Sequence, residues 1–147
     1  MTITIRSATA ADAKLIKDLS RRVPISPFQL DWERFIVAED DGVFVGCTQI
    51  KPHKDGVREL ASVAVEPARQ GQGIGTMLIH AMLERESGRL YLTCLKHNVS
   101  YYERFGFRLV EPTDAPRGFK AMIRLDRILT KLGLIEGGAV MKREAQV

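Results

Sequence analysis

The sequence has little of what marks secreted, membrane-bound and fibrous proteins. It contains two cysteines in 147 residues, aromatic residues make up 7% of it, and no apolar run approaches the roughly 20 residues that span a bilayer. The first residues, Met1 to Arg6, lack the apolar core of a signal peptide. There is no internal repeat and no low-complexity segment. We therefore expect a cytoplasmic protein that has no membrane partner.

The two cysteines, Cys47 and Cys94, each lie inside an apolar run that is typical of a strand. We interpret both as small buried residues and expect no disulfide bond between them. No base is evident beside Cys94, so we do not expect that thiol to carry an acyl group. We also predict no metal site.

Basic residues outnumber acidic ones, which results in a formal net charge of +4 and a pI near 9.3. This charge would suit a nucleic-acid-binding protein if it were gathered into one stripe with interleaved aromatic residues. Here the basic residues are scattered along the chain, so nucleic acid is not expected as a partner. The length is that of one domain, which we place at residues 1–147. The sequence does not decide whether the chain forms a homodimer.

Three alternating glycines in the segment Gln70 to Gly75 are the most informative feature of the chain. The apolar run Leu60 to Val65 before them predicts a strand, and helical spacing after them predicts a helix from Ile74 to about Glu86 with Gly88 as C-cap. A glycine-rich turn at a helix start exposes backbone N–H groups to an oxyanion, so the segment predicts a phosphate or pyrophosphate site. The predicted core-facing stripe of the helix is Ile74, Met77, Leu78, Ala81 and Met82.

Two familiar phosphate-binding motifs do not match this segment. A Walker A loop places Lys and then Ser or Thr directly after its last glycine, whereas Gly75 is followed by Thr76 and Met77. A dinucleotide fingerprint that starts at Gly71 would need a glycine at position 76, and no acidic residue ends the strand predicted at Leu90 to Leu95. Nucleotide hydrolysis and NAD or FAD binding are therefore disfavoured.

Hydrophobic periodicity and turn residues predict the remaining elements. Asp-Gly pairs at 41–42 and 55–56 predict two hairpins, and Thr9 or Asp12 is expected to cap the first helix. The succession of strand, helix and strand from 60 to 95 predicts one parallel pair. The predicted strands are 2–6, 35–38, 43–50, 57–65, 90–95, 107–110 and 139–142. The first helix is expected to carry Ala13, Ile16 and Leu19 towards the core. Two further helices are predicted at 99–105 and 119–132. Gly133 ends the last helix, and its apolar residues with helical spacing are Phe119, Met122, Ile123, Leu125, Ile128 and Leu129. The role of the helix at 119–132 is left open.

The glycine segment resembles the acyl-CoA signature of the GNAT superfamily of N-acetyltransferases, Gln/Arg-x-x-Gly-x-Gly/Ala after a strand that ends in Val-x-Pro. In this sequence the match is Val65-Glu66-Pro67-Ala68-Arg69-Gln70-Gly71-Gln72-Gly73-Ile74-Gly75. A second segment, Tyr102 to Phe107, resembles the Tyr-x-x-x-Gly-Phe segment that the superfamily places after its next strand. The resemblance covers nearly the whole chain and implies an α/β (α+β) fold, a mixed, mostly antiparallel sheet with a central parallel β-α-β pair and helices on both faces.

The resemblance also implies where acetyl-CoA binds as co-substrate. Backbone groups of Val63, Ala64 and Val65 are expected to hold the pantetheine arm as an added strand-like partner. Asn98 matches an asparagine that touches the coenzyme arm in the family, and it is also an N-cap candidate for the next helix. The pyrophosphate is expected on the backbone amides of Gln70, Gly71, Gln72, Gly73, Ile74, Gly75 and Thr76.

The resemblance implies two catalytic side chains. Tyr102 matches the tyrosine that the family commonly uses to protonate the departing thiolate, with a packed aromatic side chain as the alternative. Glu59 stands where some members carry a glutamate as general base, with a solvated surface charge as the alternative. His53 and His97 are further candidates for the base, and spacing does not decide among them.

The sequence therefore predicts an N-acetyltransferase that transfers an acetyl group from acetyl-CoA to a primary amine of a small molecule or peptide, by direct attack in a ternary complex. The segment Arg21 to Trp32 and the loop Glu111 to Gly118 are expected to wall the acceptor cleft. Arg21 or Arg22 is a candidate for holding an acceptor carboxylate. A non-catalytic acyl-CoA-binding or sensing module is the main alternative, and a nucleic-acid-binding domain with an incidental glycine turn is another.

Overall fold

A computed structural model of the chain describes residues 1–146. Backbone contacts divide them into two compact units: unit 1 comprises residues 1–51 and 60–86, and unit 2 comprises residues 52–59 and the chain from 87 onward. Within the described residues the strands are β1 (Ile3–Ser7), β2 (Phe35–Asp40), β3 (Val43–Pro52), β4 (Arg58–Val65), β5 (Leu90–Leu95), β6 (Arg108–Leu109) and β7 (Gly138–Arg143). The α-helices are α1 (Ala13–Ser20), α2 (Ile74–Arg85), α3 (Val99–Glu103) and α4 (Arg117–Lys131).

The strands are mostly antiparallel, and one pair is parallel. In unit 1 the strand order is β1-β2-β3-β4, and β1 pairs antiparallel to β2 with Ile3 opposite Asp40. In unit 2 the beginning of β4 lies parallel to β5 with Glu59 opposite Tyr91, and β7 lies between β5 and β6. This arrangement confirms the predicted mixed α/β fold, including the parallel pair that the succession of strand, helix and strand predicts.

Both Asp-Gly hairpins form as predicted. Asp41 and Gly42, between β2 and β3, have φ angles of 50° and 84°, the left-handed conformation that a two-residue hairpin turn requires at both positions. In the second turn Gly56 has a φ of 82°, and the Asp55 carboxylate accepts the N–H of Val57 at 3.2 Å. The turn chemistry therefore fixes where each strand folds back.

Helix α1 covers one face of the strands in unit 1. Its buried Ile16 and Leu19 pack in one cluster with Phe35 and Val37 of β2 and Cys47 of β3. Burial of each large aliphatic side chain contributes about 1.5–3 kcal/mol to stability. The amphipathic spacing that predicts this helix therefore also supplies the contacts that hold it.

Asp12 is the N-cap residue of α1, but its side chain bonds backwards to the preceding turn and makes no capping hydrogen bond to the helix. The carboxylate of buried Asp12 accepts the N–H of Thr9 at 2.7 Å and two N–H groups of Arg6 at 2.8 and 3.0 Å. The Arg6 guanidinium holds the pKa of the Asp12 carboxyl below its usual range. Because the folded-state pKa is lowered, this stabilisation is present above about pH 4 and is lost as the pH falls through the lowered pKa.

Helix α2 packs against the opposite face of the same strands. Successive strand residues alternate between faces, so Gly46 lies on the face opposite Cys47. A Cβ at Gly46 would lie 2.7 Å from the carbonyl oxygen of Ala64 and 3.2 Å from Cδ1 of Leu78. Only glycine permits so close an approach. Unit 1 therefore carries helices on both faces, as predicted.

Two predictions about α2 are wrong in detail. The buried residues are Ile74, Leu78, Ile79 and Met82, whereas Met77 is 42% exposed. Apolar residues occupy more than one side of this helix, and packing selects the side that includes Ile79. The helix also ends at Arg85 with Glu86 as C-cap in place of Gly88, because Glu86 leaves the helix with a φ of −122°, which needs no glycine.

The core of unit 2 forms around the strands β5 and β7. Tyr91 of β5 and Val140 of β7 pack with Ala115 and with Phe119 of α4. The predicted last strand, β7, lies inside the sheet between β5 and β6. It runs antiparallel to β5 with Leu90 opposite Arg143. β6 itself is shorter than the predicted 107–110.

Helix α4 ends as predicted, but its apolar stripe is wrong in part. Gly133 has a φ of 72°, and its neighbour Leu134 donates its N–H to the Leu129 carbonyl at 3.0 Å, which closes the helix in a Schellman pattern. Phe119 is buried, since it enters the cluster of β5 and β7. The next turns carry apolar side chains to the surface, because nothing in the described chain covers them: Met122, Leu125 and Ile128 are 43%, 57% and 52% exposed.

Residues 1–146 contain neither a membrane-spanning helix nor a cluster of metal ligands. No helix in that range is long and apolar enough to cross a membrane. No cluster of three or more His, Cys, Asp or Glu side chains in the same range is arranged to hold a metal ion.

Candidate functional site

The glycine segment forms the turn that opens α2 in unit 1. Gly71 and Gly73 have φ angles of 80° and 82°, and Gly73 is the N-cap of the helix. An L-residue pays about 1–2 kcal/mol to adopt this left-handed conformation, so glycine is required at both positions. Backbone geometry thus explains the first two of the three alternating glycines, whereas Gly75 lies inside α2. We call residues 70–76 the cradle.

The cradle presents backbone donors to open space. A Cβ added at Gly71 or Gly73 would meet no atom within 4 Å. The helix begins at Ile74, and the first N–H groups of an α-helix have no intrahelical acceptor. Not every N–H of the cradle is open, because that of Gln70, which was expected to contact the pyrophosphate, donates to the Pro67 carbonyl at 3.4 Å; after the cradle, the Met77 N–H donates to the Gly73 carbonyl at 3.0 Å. N–H groups without an intrahelical acceptor at the positive end of a helix dipole are favourable for an anion, so the turn has the features of the predicted phosphate site.

Side chains that flank the cradle hold it in place. Arg69 forms an ion pair with Asp40 at the end of β2, and its Nε donates to the side chain of Gln72 at 3.3 Å. The side-chain amide of Gln70 donates a hydrogen bond from Nε2 to the backbone carbonyl of Val65 at 3.2 Å. These contacts occupy the charged and polar side chains, so the free donors of this turn belong to the backbone. Because the Val65 carbonyl already accepts this hydrogen bond, only one of its two lone pairs is left for the expected contact with the pantetheine arm.

A left-handed residue interrupts β4 just before Val63. Ser62 has a φ of 56°, which costs about 1–3 kcal/mol for a residue that is not glycine. The fully buried Gln49 of β3 holds it there, since its amide donates to the Ser62 hydroxyl at 2.8 Å and to the Gln29 carbonyl at 3.0 Å. Val63 is half-buried, in line with a strand that keeps part of its surface accessible. Sequence reasoning missed Gln49, although an amide in an apolar strand was a usable signal.

Unit 2 brings two of the candidate bases together. The Nε2 atom of His53 lies 2.9 Å from Oε1 of Glu59, and their side chains are 27% and 13% exposed. The His53 ring packs on Phe119 of α4 with ring centroids 5.2 Å apart. The hairpin at 55–56 brings the two residues together. The backbone N–H of His53 donates to the backbone carbonyl of Val57 at 2.7 Å, which folds His53 back alongside β4. The predicted hairpin was the signal that could have linked the two residues.

His97 forms a second histidine-carboxylate pair, in a different setting. Its Nδ1 lies 2.9 Å from Oε1 of Glu136, but the two side chains are 60% and 49% exposed. The hydrogen bond from His97 holds the pKa of the Glu136 carboxyl below its usual value. Water screens a pair this open, so its two groups interact weakly.

Tyr102 lies on α3 in unit 2 with its ring among aromatic neighbours. The ring centroid is 5.2 Å from that of Tyr101 and 6.3 Å from that of Phe107, both edge-on. Burial, together with the nearby Cys94, raises the pKa of Tyr102 to about 12. The phenol therefore keeps its proton across the neutral range and acts as a hydrogen-bond donor.

Comparison with known proteins identifies the family. Residues 31–109, more than half of the chain, match the family model described as an acetyltransferase (GNAT) domain. The chain belongs to the GNAT acetyltransferase family.

Solved structures and a curated relative agree with this assignment. A GNAT family acetyltransferase from Brucella melitensis, solved with acetyl-CoA, is 30% identical with a TM-score of 0.58, over 73% of this chain and 83% of that one. N-acetylglutamate synthase from Neisseria gonorrhoeae, solved with CoA and N-acetylglutamate, shares the fold with a TM-score of 0.76 at 20% identity, over 100% of this chain and 36% of that one. An amino-acid acetyltransferase from Vibrio vulnificus is 26% identical over 65% of this chain and 22% of its own length. This GNAT chain spans about a fifth to a quarter of the length of the curated relatives it matches.

The cysteines of the GNAT chain are free thiols, but the expectation that both are buried is wrong for Cys94, which is only half-buried because it lies near the end of β5. Cys47 is buried, and burial raises its pKa to about 12. Burial also raises the pKa of Cys94 to about 11. Both thiols are therefore protonated at neutral pH, and a protonated thiol is a poor nucleophile.

The remaining predicted residues of the GNAT chain take different places. Asn98 directly precedes α3 in unit 2, but its side chain makes no capping hydrogen bond. Arg22 forms an ion pair with Glu66 at 2.5 Å, and its side chain is 46% exposed. Arg21 lies at the surface and contacts Asp18 only at 3.6 Å.

Proposed function

We propose that the protein is an acetyl-CoA-dependent N-acetyltransferase that acts on a primary amine. The observation that carries the proposal is the cradle, in which left-handed glycines at a helix start leave backbone donors facing open space. Membership of the GNAT family supports the same reaction class. The named relatives that use amino acids make a small-molecule amine a reasonable acceptor class.

The donor is held by unit 1. Backbone N–H groups of the cradle bind the pyrophosphate of acetyl-CoA, because several oriented amides and a helix dipole favour a doubly charged anion. Val63, Ala64 and Val65 bind the pantetheine arm through their backbone. The left-handed turn at Ser62 supports this role, since it interrupts the regular pleat where the arm would pair.

The amine is deprotonated by the pair of His53 and Glu59. An ammonium group has no lone pair, so it must lose a proton before it attacks the thioester carbonyl carbon. The His53 imidazole accepts this proton while the Glu59 carboxylate, 2.9 Å away, orients the ring and stabilises the imidazolium. The amine nitrogen then forms the new C–N bond.

Tyr102 assists the departure of the thiolate. As the C–S bond breaks, the electron pair goes to sulfur, and a donor stabilises the charge that develops there. The pKa of Tyr102, about 12, is well above that of an ordinary thiol, about 8.5. Tyr102 therefore acts first as a hydrogen-bond donor to sulfur, and the thiolate takes up the second proton, which the acylated nitrogen releases as the amide forms.

Release of CoA from acetyl-CoA in the presence of an amine panel tests the proposal. We expect turnover with at least one member of a set of amino acids, polyamines, aminoglycosides and peptides. CoA alone is expected to raise the melting temperature, because it binds only the folded protein. Tyr102→Phe is expected to lower kcat by at least about tenfold with unchanged stabilisation by CoA. Tyr101→Phe, on the same helix, is the matched control and is expected to keep full activity.

Two results would contradict the proposal. If CoA causes no thermal shift and no heat of binding, the cradle is not a coenzyme site. If CoA binds but no amine supports turnover and Tyr102→Phe changes nothing, the protein is an acyl-CoA-binding module without catalysis. A cytosolic location, a single domain over 1–147 and a homodimer stay predictions.

A further inference from the structure

A groove in unit 2 is lined by three basic side chains that the proposed mechanism does not use. It has a volume of about 260 Å³ and is open to solvent. The three cations lie on one face of α4, because residues at i, i+4 and i+7 of a helix are neighbours. A threonine from the turn before α4 adds a hydroxyl to the wall. The lining residues are Pro112, Thr113, Lys120, Ile123, Arg124 and Arg127.

These three cations are not neutralised within residues 1–146. None of them forms an ion pair or a side-chain hydrogen bond in that part of the chain. Helix α4 holds five basic residues and one acidic residue, and the carboxylate of that residue, Asp126, accepts a backbone N–H of β7 at 3.0 and 3.2 Å. Glu111 and Asp114, in the turn beside the groove, pair with none of the three cations. The groove therefore has an unbalanced positive charge.

One hydrophobic cluster links the groove to the candidate base. Ile123 in its wall packs against the cluster that contains Phe119, and the Phe119 ring contacts His53 at a centroid distance of 5.2 Å. Lys120 follows Phe119 directly, and the cations from Lys120 to Arg127 span about 10 Å along the helix at its usual rise. Helix α4 therefore carries both the aromatic neighbour of His53 and the three cations of the groove.

We propose that this groove binds the anionic part of the amine acceptor, so that the acceptor carries a carboxylate or a phosphate besides its amine. The inference rests on the proposed function and narrows its substrate class. Guanidinium groups bind carboxylate and phosphate in a bidentate manner, and both anions also accept a hydrogen bond from Lys120 or Thr113. Polyamines are disfavoured, because three like charges would repel them.

Anion binding to the full-length protein tests the groove without any turnover. Calorimetry is performed with glutarate and with inorganic phosphate as probes, in saturating CoA so that the cradle is filled. The double variant Arg124→Gln/Arg127→Gln is expected to weaken binding of at least one probe by tenfold or more. Lys131→Gln removes a charge from the same helix outside the groove and is the control. Equal loss in both variants, or no binding to the wild type, would overturn the inference.

Kinetics with paired acceptors distinguish the two anion classes. The pairs are butylamine with 4-aminobutyrate, and ethanolamine with phosphoethanolamine. We expect a KM at least tenfold lower for the anionic member of one pair, and loss of that preference in Arg124→Gln/Arg127→Gln with CoA stabilisation unchanged. A preference that survives in the variant, or a variant that loses CoA binding, would overturn the inference. Absence of turnover with every amine contradicts the proposed function instead, and the calorimetry still decides whether the groove binds anions.

Discussion

The cradle in unit 1 and the pair of His53 and Glu59 in unit 2 represent two ways of building a functional site. The cradle offers backbone N–H groups, and its glycines are needed for their φ angles of 80° and 82°. The pair consists of side chains that a hairpin brings to 2.9 Å. A site made of backbone depends on local conformation, which adjacent residues encode. A site made of side chains depends on which segments meet.

The two histidine-carboxylate pairs sharpen this contrast. His53 with Glu59 and His97 with Glu136 share the same chemistry and the same 2.9 Å separation. Only the first is largely shielded from solvent, with an aromatic ring against the imidazole. Low local polarity strengthens the interaction between charges, so burial and not composition separates the candidate base from a surface pair.

The largest expected effect is on the side-chain site. His53→Gln removes the proton acceptor, so kcat is expected to fall by about a hundredfold or more, with thermal stabilisation by CoA unchanged. Steady-state kinetics with the best amine measures it. His97→Gln is the matched control and is expected to stay within about twofold of the wild type. A larger loss in Glu59→Gln than in His53→Gln would instead make the carboxylate the base.

An intermediate effect is expected at the backbone site. Gly73→Val forces an L-residue into a left-handed N-cap and places a side chain in the open space of the cradle, so CoA affinity is expected to fall by at least about tenfold. Calorimetry with CoA measures the change. The control is Gly88→Ala, where the backbone is not left-handed and a Cβ meets nothing within 4 Å. Unchanged affinity in Gly73→Val would show that the coenzyme binds elsewhere.

The smallest expected effect is on a side chain of the cradle itself. Gln72→Ala removes the contact with Arg69 at 3.3 Å but leaves the backbone donors intact. CoA affinity measured by calorimetry is therefore expected to change by less than about threefold, since exposed polar side chains contribute little. A tenfold loss would contradict the view that the cradle binds through its main chain.

Much of the fold was predictable, because turn residues and apolar alternation act locally. Both Asp-Gly hairpins, strand β5 and the Gly133 end of α4 are where local chemistry places them. The errors concern contacts between elements. The choice between Met77 and Ile79 in α2, and the exposure of Leu125 in α4, depend on what lies against each helix. Helical spacing by itself does not contain that information.

By itself, the sequence determined the family, the fold class and the position of the glycine turn, since glycine conformation and strand-turn-helix order are properties of neighbouring residues. Only the tertiary structure decided that His53 meets Glu59, that Arg22 pairs with Glu66, and that three cations of α4 share one groove. Those facts depend on side chains from separate segments and on their burial, which arise when the chain packs and not before.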